Sequence, residues 1–419
     1  MTSSTPNTIP NVPFTLNKYH VSEEYGFLLP LPRTDLPEYY QPWMKIASNL
    51  TDLIEAHTLR NEVNKLPLLD TGYLQGHREL RLARMVLSFI TMGYVWQEGE
   101  HGIVKTLPRN LAIPYCALSR LLGLPPILVH ADGALSNWKK KNPSGPMEIE
   151  NLDLIVCLPG GDSFKGFFLV TLLVELAAVP GIKAMAAVIN AVLECDDRSL
   201  KRALEDLASS IQSMTEALKQ MHAHVDPATF YGMIRIFLSG WRDNSSMPEG
   251  LVYEGVQEDP LQYSGGSAAQ SSVLHCFDEL LGVRHGKDSA AFLSRMRDYM
   301  PSSHKQLVLD ISAGPSLRHY VLDVGKSELT GAFNGCVAQL VALRNYHIVV
   351  VSRFITVPAA RVRERRSRAE PSAEILTRAP SSLEERGTGG SGVMSFLKSV
   401  RDTTKEATIP WDGNKIPTA

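Results

Sequence analysis

The sequence predicts an all-α protein with a small N-terminal helical domain and a large C-terminal one. Three observations predict it. Apolar residues recur at spacings of three and four from Trp43 onward, the helical runs are joined by short turn-rich segments, and alternating strand patterns are scarce. The chain has 419 residues, 44% of them hydrophobic, so it can build a large core and divide into two or three domains.

Residues 1–34 hold several prolines and little periodicity, and read as an extended surface arm. The small domain is placed at 35–141. Trp43, Ile46, Leu50, Leu53 and Ile54 mark its first helical face, and 77–96 is a second helix too evenly apolar to face solvent. Short helices follow, up to Gly123 and over 131–138. The turn-rich KKKNPSGP, residues 139–146, leads into a linker placed at 142–160.

The large domain is placed at 161–359. The run 165–179 predicts a nearly all-apolar helix whose one acid is Glu175, stopped by Pro180 and Gly181. Further helices are expected over 182–193 and 199–222. Asp226 then caps a helix with Pro227 as its first residue, running to Leu238. The stretch 251–272 is long for a plain connection, and Gly265 and Gly266 beside Ser267 point to a close backbone approach.

Helices are expected again at 272–281 and 290–300. The last strong helix, 329–354, puts His347 on an apolar stripe with Val337, Leu340, Val341, Arg344, Ile348 and Val351. Residues 360–386 are charged and rich in Pro, Gly and Ser, and read as mobile. A returning helix is expected within 387–402 and a tail at 403–419.

Composition bounds the function. Lys and Arg number 42 against 44 Asp and Glu, a net charge of -2, which excludes a polycation that coats nucleic acid. The five cysteines, Cys116, Cys157, Cys195, Cys276 and Cys336, never form CxxC, which argues against a disulfide framework or a cysteine zinc site. The opening residues have no leader character. The apolar runs 166–181 and 348–358 contain Glu175 and Arg353 and read as too short or interrupted to span a bilayer. The expectation is a soluble, cytoplasmic protein without a membrane partner.

Taken residue by residue, the site candidates leave alternatives open. His347 suits either a hydrogen-bonded core position or an axial iron ligand. Arg344, one turn earlier, could pair with a ligand carboxylate or an internal one, or reach solvent. His222 and His224 diverge on a helix, and no HExxH occurs, which disfavours zinc hydrolysis. Phe230, Ile234 and Leu238 share an i, i+4, i+8 face, with Arg235 beside Tyr231, and Phe164, Phe167 and Thr171 share another. An arginine beside an aromatic ring suits a small planar carboxylate, and helix packing explains both sets as well.

The strings SFKGFFLVTLLVELAA, RIFLSGW, LVYEGVQEDP, GGSAAQSSV, YMPSSHKQ, LRNYHIVVVSRFI and RGTGGSGVMSFLKSVR resemble, in order and from about residue 12 to 410, the indoleamine 2,3-dioxygenases. The resemblance is to a fungal-like member. It implies a two-domain haem dioxygenase fold with one haem b per chain, kept ferrous by a reductant. The implied reaction opens the indole C2–C3 bond of L-tryptophan or a related indoleamine with O2, giving N-formyl-L-kynurenine. It also implies a monomer at the head of the kynurenine route towards NAD.

By the same resemblance His347 is the haem ligand and Arg344 pairs with Asp278. Ser267 and Ala268 border haem and substrate. Arg235 holds the substrate carboxylate beside Phe230 and Tyr231, the latter a departure from the usual phenylalanine. Phe167 and Thr171 contact the indole, threonine replacing the commoner serine. His130, Gly133 and Ala134 stand at the far wall. Thr388 and Gly389 belong to a closing loop. No residue is expected to act as a catalytic acid or base. A haem- or O2-binding protein of weak activity, and a helical scaffold with His347 in its core, are the rival expectations.

Overall fold

A computed structural model describes residues 13–367 and 392–410. The fold is all-α. Among the described residues, the paired strands are two-residue pieces: Thr106–Leu107 runs parallel to Val252–Tyr253, and Lys139–Lys140 antiparallel to Leu152–Asp153.

The N-terminal bundle forms around the helix Gly76–Trp96, whose residues from Arg81 to Trp96 are all buried. Gln41–Ser48 and Arg109–Leu122 pack on it. An evenly apolar helix like this has no solvent face, so its polar residues need internal partners. Arg84 is fully buried and pairs with Asp132, and its Nη2 also donates to the Ile127 carbonyl at 3.1 Å. Arg81 donates to the Ala131 carbonyl and to Ser136 Oγ, at 2.9 and 2.7 Å. Both arginines therefore hold the segment that carries His130.

In the C-terminal bundle, Gly161–Ala177, Val179–Glu194 and the long histidine helix Ser327–Val351 surround Asp197–Lys219. Asp226 caps Pro227–Thr229 as expected, accepting from the Thr229 amide at 2.8 Å. That helix is not regular, however. A π turn occupies Phe230–Ile234, and a second one, Ser352–Thr356, follows the histidine helix.

Several expectations are corrected. The arm is not loose from residue 13 onward: Leu16, Tyr19, Phe27 and Leu28 are buried, and the Phe14 amide donates to Asn190 Oδ1 at 2.7 Å. The linker is a tied loop, in which Asn151 Nδ2 donates to the Asn142 and Pro146 carbonyls. Residues 360–367 are helical, within Val357–Ser367, and the returning helix Val393–Glu406 extends into the expected tail.

Two helical runs, Gly161–Glu194 and Ser327–Arg365, longer than the apolar stretches 166–181 and 348–358 read from the sequence, are long and apolar enough to cross a membrane by length and composition alone. Their apolar residues pack against Asp197–Lys219 and line the cavity described next. Buried residues of both bundles join in one continuous core.

Candidate functional site

A largely apolar cavity lies between the histidine helix and the helix Gly161–Ala177. His347 lines it from one side, with Leu343, Val350 and Phe354. The imidazole is half-buried. Burial, and then the charge of Arg344, pushes it down to about 4, so it is neutral at pH 7 with a lone pair available.

Arg344 does not reach solvent. Its Nη2 donates to Asp278 Oδ2 at 2.7 Å, and it also bonds Thr404 Oγ1 on the returning helix. Burial alone would raise the Asp278 carboxyl, but the Arg344 charge and the bonds from His285 and Arg344 outweigh it and hold the acid well below its usual range. His285 Nε2 lies 3.0 Å from Asp278 Oδ2, and its Nδ1 lies 2.8 Å from Thr403 Oγ1. Helix Ser272–Leu281, the histidine helix and the returning helix are thus joined through ionic and hydroxyl groups.

The opposite wall carries Phe167, Phe168, Thr171, His130 and Ala134. Thr171 spends its hydroxyl proton on its own helix, donating to the Phe167 carbonyl at 2.7 Å. Gly133 is not part of the lining. A Cβ there would stand 2.3 Å from Phe168 Cε1, so the glycine exists to let that ring pack. His130 Nε2 is bonded to Glu175 Oε1 at 2.8 Å.

Arg235 is buried, only 1% exposed, and lines the cavity with Phe230 and Leu238. A regular helix would put Ile234 on the Phe230 face. The π turn adds a residue there, and Arg235 takes that place while Ile234 packs by Gly160. Tyr231 is displaced with it: it packs with Ala359 and Val362 behind the wall, its ring centroid 5.1 Å from the Arg235 guanidinium. Burial lowers the guanidinium to about 10, against the pull of Tyr231, and it stays charged at neutral pH.

Gly266, Ser267, Ala268 and Ala269 form a small-residue edge of the cavity. Ser267 Oγ accepts from the Ala269 amide at 3.2 Å. The close approach read from Gly265 is to Gly240, where a Cβ would stand 2.3 Å from the Gly265 nitrogen. Thr388 and Gly389 lie outside the described residues.

The donors at this cavity fit a porphyrin iron. Among the described residues no cluster of three or more His, Cys, Asp or Glu side chains could hold a metal ion. One neutral helix histidine faces an apolar space, which is the donor set for an ion whose other protein-independent ligands would come from a macrocycle.

A family model described as Indoleamine 2,3-dioxygenase matches residues 15–407. The chain belongs to the indoleamine 2,3-dioxygenase family. Indoleamine 2,3-dioxygenase 2 of Homo sapiens is 55% identical over 404 residues, which cover 96% of this chain and 98% of that one. Indoleamine 2,3-dioxygenase of Saccharomyces cerevisiae is 31% identical over 423 residues, 93% and 92% of the two chains. The fungal-like affinity read from the sequence is corrected by these identities. A protein named myoglobin, from Haliotis madaka, is 39% identical over 393 residues, covering 93% and 98%.

Sequence reasoning missed several members of this dioxygenase-family cavity. Phe354, Phe396 and Leu397 line it, and Ser271 and Glu175 sit on its wall. For Glu175 a signal existed, a lone acid in an apolar helix. For Phe396 none did, since its place depends on how the returning helix docks.

Proposed function

We propose that the chain is a haem-dependent dioxygenase that opens the indole ring of L-tryptophan with O2 to give N-formyl-L-kynurenine. The observation that carries this reading is one apolar cavity walled by a neutral helix histidine, His347, and by a buried guanidinium, Arg235. A storage site for O2 needs the first and has no use for the second.

His347 would hold the haem iron, with Ser267 and Ala268 at the rim of the macrocycle and the Arg344–Asp278 pair fixing the helix that bears the ligand. Ferrous haem b supplies the O2-binding centre. Arg235 takes the amino-acid carboxylate in a bidentate grip, oriented by the Tyr231 ring, and Phe230 and Phe167, their centroids 5.0 Å apart, pack on the indole. His130, Ala134 and Thr171 shape the far side. Among the described residues no side chain takes the part of a general base in this reading, and the protein's work is orientation and exclusion of water. Thr388 and Gly389 would close over the amino acid.

The same reading includes division into a small bundle to 141 and a large one from 161, a cytoplasmic monomer, an external reductant and a place at the head of the kynurenine route towards NAD. A second reading, an O2-binding protein of low activity, is favoured by the relative named myoglobin. Tryptophan added to ferrous, haem-loaded protein in air decides between them: formylkynurenine absorbance supports the enzyme, and stable O2 binding without product supports the carrier.

A further inference from the structure

Between Gly166 and Ala177 the phenylalanine-bearing helix has one charged residue, Glu175, one turn beyond Thr171 and only 4% exposed. Its Oε1 accepts from Ser271 Oγ at 2.6 Å and lies 2.8 Å from His130 Nε2. Its Oε2 is buried and has no hydrogen-bond partner among the described residues. The neighbouring Gln270 completes the link: its Oε1 accepts from the His130 amide at 3.0 Å, and its Nε2 donates to the Gly265 carbonyl at 2.9 Å.

These bonds join three segments distant in sequence, the helix Gly161–Ala177, the turn His130–Gly133 and the loop 265–271, and each of them contributes residues to the cavity. A carboxylate this deep costs free energy unless hydrogen bonds compensate it, and Ser271 and His130 are placed to supply them. A half-satisfied buried acid is poor economy for stability alone. We propose that Glu175 is a positioning residue for the indole-facing wall, setting the spacing of those three segments and thereby which ring-substituted indoles fit.

Displacement would spread in two directions. Through His130 the turn carries Gly133, on which the Phe168 ring packs, and through Ser271 the loop carries Ser267 and Ala268. The inference rests on the proposed indole substrate.

The test compares Glu175→Gln with Glu175→Leu in haem-loaded protein. The glutamine oxygen still accepts both bonds, so KM for tryptophan should stay within about threefold of the unchanged protein. Leucine removes both, and KM should rise about tenfold or more while kcat moves less than about threefold, because each lost bond to a charged group weakens the wall. Preference for tryptophan over its ring-methylated forms should fall by about tenfold. Hydrogen exchange gives a readout free of activity: amides of 129–133 and 265–271 should exchange faster in Glu175→Leu, with or without haem.

Unchanged KM, ring preference and exchange in Glu175→Leu would overturn the inference, as would a glutamine variant as impaired as the leucine one. If the leucine variant does not fold, His130→Phe and Ser271→Ala each remove one bond and are judged by the same criteria. An unchanged protein that neither binds nor converts tryptophan defeats the functional reading; one that does, with an unaffected leucine variant, defeats this inference alone.

Discussion

Arg344 donates to Asp278 across 2.7 Å, and both side chains are about one-tenth exposed. The pair ties the histidine helix to Ser272–Leu281, and Thr404 extends the tie to the returning helix. Such a pair adds little net stability over an apolar one, but breaking it is expensive because a buried charge is left behind.

Asp278→Ala should therefore destabilise the protein by about 3 to 5 kcal/mol. Urea unfolding measures it. A loss under about 1 kcal/mol would mean that Arg344 finds another acceptor, and the tie would not be ionic.

Arg235→Ala should raise KM for tryptophan about 10- to 100-fold, the effect of losing charged hydrogen bonds to one ligand group, while haem absorbance stays as in the unchanged protein. Arg235→Lys should recover little, since an ammonium cannot reproduce the fork. Unchanged turnover at low tryptophan would remove Arg235 from the binding role.

Gly133→Ala places a methyl against the Phe168 ring. Overpacking of this kind costs about 1 to 3 kcal/mol, and the displaced ring should also alter KM. A denaturation midpoint and a KM both unchanged would show that the ring yields freely.

Two buried histidines give the protein a built-in acid sensitivity. Burial pushes His304 down to about 3 and His275 down to about 4 from an ordinary 6.5. In the folded state both stay neutral where the unfolded chain takes up protons. Their contribution is complete above about pH 6.5 and is lost as pH falls through 4 towards 3. His304 packs edge-on against Phe27 at 4.8 Å, and His275 sits between the Ala269 carbonyl and Arg297 Nε, which suits a single neutral tautomer. In His304→Gln, stability should fall less steeply over that window. An identical slope by denaturation at several pH values would contradict it.

Most of the helical framework was legible because apolar spacing and caps such as Asp226 act locally. What local periodicity could not show was the π turn at Phe230–Ile234, which moves Arg235 onto the cavity face and turns Tyr231 away. Nor could it show that Gly133 serves the Phe168 ring, or that Thr171 is occupied by its own helix, since both depend on contacts and rotamers. The residues themselves raised His347, Arg344 and Arg235 as candidates with alternatives open, and the resemblance supplied their roles and added Asp278. The Glu175 link required three separated segments to be seen together.

The most direct measurement is the absorbance of His347→Ala purified after synthesis with porphyrin precursor and iron, beside the unchanged protein. The account predicts a strong haem band in the unchanged protein, and loss of most of it in the variant without loss of helical content. A variant that keeps its haem with the same band position and intensity would contradict the assignment of His347, and with it the orientation of the whole site.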